Sequence, residues 1–160
     1  MLAGLSLPMM VLLLVAGIAL DLLLGEARRW HPLVGFGNLA IRLERALNRG
    51  RWPIARGALG WLLAVAPLVA LAAWLDHPLI HALLLYFSLG LRSLREHNMP
   101  IGEALEQGDL AQARSLTARI VSRDTADAGA SDLAKASAES LLENGNDAVF
   151  GTLFWFAVGG

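Results

Sequence analysis

The apolar residues of this chain are clustered rather than periodic. Met1 to Leu20 carries no charged side chain, and neither does Gly57 to Leu75. Each run approaches the roughly 20 residues a helix needs to cross a bilayer core, and each lacks the polar face of a surface helix. A third run, Pro78 to Leu91, is shorter and by length also fits a buried or re-entrant helix. Between the first two runs, Gly25, Pro32, Gly35 and Gly37 predict an irregular loop. Leu39, Leu43, Ala46 and Leu47 then recur at helical spacing around Arg42, Glu44 and Arg45, which predicts an amphipathic helix ending near Asn48 to Gly50 and lying along a membrane surface. Pro67 falls inside the second apolar run, where a membrane helix tolerates it as a kink.

From Arg92 to Asp147 the chain turns polar and Ala-rich. Asp109 reads as the N-cap of a helix whose apolar face is Leu110, Ala113, Thr117, Ile120 and Val121. "RDTADAGAS" is a loop, and Ser131 or Asp132 opens a further helix running to about Asn144. "ALEQGDLAQAR" superficially resembles one tetratricopeptide helix pair, but a single pair cannot bury its own face. The closing apolar stretch, Ala148 to Val158, makes about 17 Å of helix, against about 30 Å for a bilayer core. The expected fold is all-α, a polytopic integral membrane protein. Transmembrane helices are expected at 1–24, 57–75 and 78–91, with a loop and amphipathic helix at 25–56. A helical cytoplasmic segment with an acidic motif occupies 92–147, and 148–160 begins a truncated membrane helix.

Charge adds orientation to this picture. Of 160 residues 56% are hydrophobic and net charge is −1, yet all 13 Lys and Arg lie between Arg28 and Lys135. They fall in the connection between the first two spans and in the segment after the third, while the "DHP" turn at Asp76 to Pro78 has none. The positive-inside rule then puts both basic segments in the cytoplasm and the N-terminus outside, in a multi-pass plasma-membrane protein. A signal peptide cleaved near Gly17 or Ala19 would require a basic start, which is missing. With no cysteine there is no disulfide framework, thiolate catalysis or Cys-based metal site. Basic residues beside spans suit the lipid bilayer and orientation, not nucleic acid.

Candidate chemistry gathers at the acidic mouth of the last apolar run. Glu139 and Glu143 are four apart, and Asp147 follows at the same interval if the helix continues past Gly145. Like charges at this spacing cost a helix a few tenths of a kcal/mol each and invite a cation: an arginine, Lys135 or a magnesium ion. A solvated face with a Lys135–Glu139 pair is the plainer reading, but ionisable groups beside a membrane boundary tend to be functional. Arg123, Asp124 and Thr125 sit in a helix-ending loop, where turn and cap roles would suffice. His31, in "WHP", could act as acid, base or ligand, or with Trp30 as an interfacial anchor. Asp21, at the inner end of the first span, needs only water or Arg28. No Gly-x-x-x-x-Gly-Lys-[Ser/Thr] occurs and Lys135 is the only lysine, so a bound nucleotide would not use a P-loop. "GFG" at Gly35 to Gly37 follows a span rather than a strand, and no paired-histidine zinc pattern is present.

"LDLLLGEARRWHPLVGFGNL", "IVSRDT" and "ESLLENGNDAVFGTLFWFAVGG" together resemble the CobD/CbiB family of cobalamin-biosynthesis membrane proteins, the adenosylcobinamide-phosphate synthases. The motifs fall in order on Asp21, Gly25, Glu26, His31, Pro32, Gly108, Asp109, Arg123, Asp124, Thr125, Glu139, Glu143, Asn144, Asp147 and Leu153 to Trp155. Ala27, Ser122, Ala148 and Gly151-Thr152 depart from the residues common there. The resemblance implies amide ligation of the corrinoid substrate adenosylcobyric acid with (R)-1-aminopropan-2-ol or its phosphate, with ATP and Mg2+ as cofactors. It implies catalytic roles for Glu139, Glu143, Asp147 and Asp124, the first three also as magnesium ligands, and substrate binding by Arg123, Thr125, Asn144, His31 and Asp21. Family members run to about twice this length, so the 160 residues are expected to be a fragment, inactive alone. Two other classes fit some features: a non-catalytic membrane regulator related to the same family, and a transporter subunit, for which only Asp21 approaches a span.

Overall fold

The computed structural model describes residues 4–26 and 31–159. Arg28, Arg29 and Trp30 lie outside the described residues, and with them the expected Asp21–Arg28 partnership and the Trp30 anchor, as do Ala27, Gly160 and the first three positions. Among the described residues all regular structure is helical. Two helices, α1 (Leu7–Leu24) and α3 (Pro53–Leu75), are long and apolar enough to cross a membrane by length and composition.

Helix α1 begins at Leu7, with Pro8 in its first turn, and ends at Gly25, whose φ of +66° no side-chain-bearing residue adopts cheaply. Its main partner is α4 (Pro78–Ser88). The two approach closely because position 17 has no side chain: a Cβ on Gly17 would lie 2.6 Å from Leu85 Cδ2. Helix α4 has 11 residues, roughly 16 Å, and stops before the expected boundary at Leu91. Leu89 turns extended, and after Gly90 the chain restarts as α5 (Leu91–Glu106).

The loop expected around Gly35 and Gly37 is instead helix. Helix α2 runs Pro32–Leu47, because Pro32 presets the first turn and His31 caps it, its Nδ1 accepting the Leu33 N–H at 3.2 Å. The packing face also differs from the one expected. Phe36, Ala40, Leu43 and Leu47 face α3, whereas Leu39 is exposed. Helix α3 starts at Pro53, behind a left-handed Trp52 with φ +71°, and so takes in Arg56. Ala64 is its one buried residue.

The polar half is a small helical layer. Asp109 caps α6 (Leu110–Thr117) as expected, its Oδ1 accepting the Gln112 N–H at 2.9 Å. That helix ends before Ile120 and Val121, whose N–H groups turn back onto the Thr117 carbonyl. Helix α7 (Ala130–Gly145) starts one position before Ser131, with Asp132 reaching back to the Gly129 N–H. Ala104, Ala113 and Leu133 form the core between α5, α6 and α7, with Leu105, Leu110, Leu116 and Ala128 packed around them. Small residues here let the backbones approach, and burying Leu133 alone contributes about 2 kcal/mol. Beyond Gly145 the helix does not stop. It widens into a π segment, Asn146–Gly151, and continues as α8 (Thr152–Gly159).

Candidate functional site

Two helix ends grip one another where the apolar helices meet the polar layer. Asp21 is buried near the end of α1, and its Oδ2 accepts the Arg92 backbone N–H at 2.9 Å, capping the first turn of α5. Arg92 returns the contact. Its Nη1 donates to the Leu22 and Leu23 carbonyls at 3.2 and 2.8 Å, satisfying the open C-terminal end of α1, while its Nε donates to Glu96 at 2.6 Å. Asp21 therefore has a backbone partner that its sequence position did not suggest. Around this clasp, Tyr86 donates its hydroxyl to the Gly25 carbonyl at 2.7 Å, and Ser93 donates to Glu26 Oε2 at 2.9 Å.

The π segment docks on the same point. A π turn offsets the i→i−4 ladder and frees backbone carbonyls for other donors. Gly90, at the α4–α5 break, donates its N–H to the Ala148 carbonyl at 3.2 Å. A Cβ on Gly90 would sit 3.3 Å from the Ala148 Cβ, so glycine permits the approach. The Thr152 hydroxyl lies 3.2 Å from the Asp147 carbonyl and 3.5 Å from that of Ser88. These contacts enclose a cavity of about 140 Å3 whose polar walls include Asp21, Glu26, His31, Ser88 and Ser93. With its Nδ1 committed to the Leu33 N–H, neutral His31 carries its proton on Nε2, a donor, and its ring stands edge-on to Phe87 at 5.9 Å.

The acidic motif is arranged differently from its spacing. Glu139 is held by Arg123 Nη2 at 2.5 Å, with Lys135 Nζ at 3.8 Å from its other oxygen. The Arg123 hydrogen bond, supported by the charges of Arg123 and Lys135, holds the Glu139 carboxyl below the usual carboxylate range. Glu143 is exposed on α7. Asp147 is carried off that face by the π turn and lines an open pocket of about 590 Å3 with Ser88, Thr152 and Trp155. Its Oδ1 accepts from Asn146 Nδ2 at 3.1 Å. Among the described residues no three His, Asp or Glu side chains converge as a metal-ligand set, and two cations already occupy Glu139. The Glu139–Glu143–Asp147 donors do not fit a magnesium ion in this arrangement.

The remaining sequence candidates serve the local fold. Asp124 Oδ1 accepts the Ala126 N–H at 2.9 Å in a turn, and Arg123 is held by Glu139. Thr125 is buried and donates to the Arg114 carbonyl at 3.0 Å. Asn144 donates back along α7 to the Ser140 carbonyl and hydroxyl. Sequence reasoning passed over Tyr86, Gly90, Arg92 and Ser93, which build the junction. A signal was available: Asp21 is the lone carboxylate closing the first apolar run, and Arg92 the first cation after the third.

No solved structure matches this chain. Curated relatives do. Proteins named cobalamin biosynthesis protein CobD from Stutzerimonas stutzeri, Chromobacterium violaceum and Geobacter metallireducens are 50%, 45% and 35% identical to it. The alignments cover 91%, 92% and 91% of this chain and 50%, 51% and 50% of those proteins, so the chain spans about half the length of the curated relatives it matches. The CobD/Cbib protein family matches residues 14–160, a stretch that takes in the Asp21–Arg92 clasp, the π segment and the acidic helix. The chain belongs to the CobD/CbiB family.

Proposed function

We propose that this chain forms part of a plasma-membrane enzyme of cobalamin biosynthesis that ligates adenosylcobyric acid to (R)-1-aminopropan-2-ol or its phosphate. One observation carries the reading. Asp21, Gly25, Glu26 and His31 from one end of the chain meet the π segment that continues the acidic helix, at a single cavity that sets a few polar groups in a mostly apolar wall. A cavity of about 140 Å3 suits a small polar amine and is far too small for a corrinoid. Glu26 and the His31 Nε2–H supply an acceptor for its ammonium and a donor for its oxygen. Asp21 holds the wall through Arg92.

Joining a carboxylate to an amine in water requires activation, so ATP, entering as its magnesium complex, is a co-substrate of the proposed reaction. The carboxylate takes the terminal phosphoryl group and releases ADP. A carboxylate takes one proton from the substrate ammonium, the freed amine nitrogen attacks the acyl carbon, and phosphate departs with the second proton. Asp147 and Glu143 have no cationic partner among the described residues, and we assign the proton to Asp147, which faces the open pocket beside Ser88. Arg123 is assigned to the anionic substrate group, exchanging Glu139 for it.

The experiment uses the full-length gene product in bilayers with adenosylcobyric acid, either amine and magnesium ATP, reading the amide by mass. The parent is expected to form it. Asp147→Asn is expected to lower turnover about 100-fold or more, with Glu143→Gln less affected and both inserted at normal abundance. No amide with either amine would sink the ligase reading and favour a regulator. Parent-like turnover in Asp147→Asn would remove Asp147 from the chemistry.

A further inference from the structure

Helices α2 and α3 enclose a groove away from the junction. Phe36, Leu43 and Leu47 face Trp61, Ala64 and Val65 across a space of about 670 Å3, the size of a small-molecule site. Its walls are apolar and its mouth is basic. Arg56 and Glu44 both line the groove, and Arg42, Arg45, Arg49 and Arg51 stand beside it on α2 and the turn into α3, five cations against that single acid between residues 32 and 60. Among the described residues none of these five arginines pairs with a carboxylate. Arg49 donates to the Arg45 carbonyl at 3.1 Å, and Trp52 and Ile54 project exposed from the same turn.

An apolar slot ending in unneutralised cations complements one chemistry, an aliphatic chain that carries an anionic head. We propose that the α2–α3 groove binds an anionic phospholipid, its acyl chain between Leu43 and Trp61 and its phosphate at Arg45, Arg49 and Arg56. The inference rests on reading α3 as a membrane helix. A second copy of the chain is the poorer occupant, since two such basic faces repel. A zwitterionic lipid would bring its own ammonium to the rim.

Gly57 supplies the probe. It lines the groove, and a Cβ there meets nothing within 4 Å, so Gly57→Leu adds bulk at the groove from an unobstructed first carbon. The protein, purified in neutral detergent, is offered phosphatidylglycerol and phosphatidylcholine with identical chains, and retained lipid is counted by native mass spectrometry. Each arginine near an anionic head is worth about fivefold, so the parent should prefer phosphatidylglycerol by at least about tenfold. The triple variant Arg45→Gln, Arg49→Gln, Arg56→Gln should retain both lipids alike, and Gly57→Leu should lose both in proportion. Parent protein without headgroup preference, or parent-like retention in both variants, overturns the proposal and leaves the membrane reading standing. A dimer that Gly57→Leu dissociates, with no lipid bound, overturns it in favour of self-association. Protein that stays monodisperse without detergent and retains no lipid overturns both.

Discussion

A buried carboxylate against a helix start can act through its charge or through its lone pairs, and at Asp21 the two are separable. An asparagine in its place would keep an Oδ acceptor for the Arg92 N–H, whereas alanine would keep none. Asp21→Ala is expected to cost about 0.5–2 kcal/mol in denaturant unfolding and to lower turnover with it, while Asp21→Asn stays near the parent in both. An Asp21→Asn protein of normal stability but no activity would show that the charge itself is used on a ligand. Glu139 behaves differently, because its ion pair is exposed and its carboxyl is held low by Arg123. A depressed carboxylate contributes stability that is present above its unfolded value, about 4.3, and is lost as pH falls through the lower folded value. Unfolding measured from pH 7 to 3 should therefore show a drop at the acid end that Glu139→Gln lacks. Superimposable profiles would mean the pair is not formed in solution. The Lys135–Glu139 pairing was legible from spacing; Arg123 as the nearer partner was not, because it arrives from a loop 16 residues away.

Among the elements, the π segment is the one no periodicity announced. Apolar patterning over Ala148 to Val158 fits an α or a π turn equally, and only the tertiary acceptor demand of Gly90 distinguishes them. Deleting Ala148 should restore an ordinary α turn between α7 and α8 and remove the carbonyl that Gly90 uses. Circular dichroism should stay helical while ligation in the full-length protein is lost. Retained ligation would reduce the π turn to a local irregularity. The long apolar helices α1 and α3 were readable because an unbroken apolar run has few alternatives. The start of α2 was not, because Gly35 and Gly37 carry a loop signal that the Pro32 and His31 cap overrides. The third apolar run was overextended through Leu91 for a related reason: Leu89 and Gly90 are apolar enough to continue a helix, but their backbone is claimed by α5 and the π segment.

At the scale of the whole chain, the lack of cysteine in these 160 residues lets single cysteines report their topology. Single cysteines at Ser6, Ser115 and Ser131, all exposed, separate the start of α1 from the polar layer. If the N-terminus is outside and the arginine-bearing segments inside, an impermeant thiol reagent on intact cells should label position 6 alone. Labelling at 115 or 131 without 6 would invert the molecule. The Asp21–Arg92 clasp also sets an order of events during synthesis. Its partners are 71 residues apart, and α2, α3 and α4 lie between them. At ribosomal speeds of about 5–20 residues per second, Asp21 waits roughly 4–14 s before Arg92 has even been polymerised. Throughout that interval the first apolar helix ends in an uncapped carboxylate and open carbonyls, so the nascent chain has a built-in checkpoint. Premature arrest anywhere before α5 leaves an orphaned acid at the edge of a greasy helix, a mark by which quality-control proteases could tell an unfinished chain from a finished one.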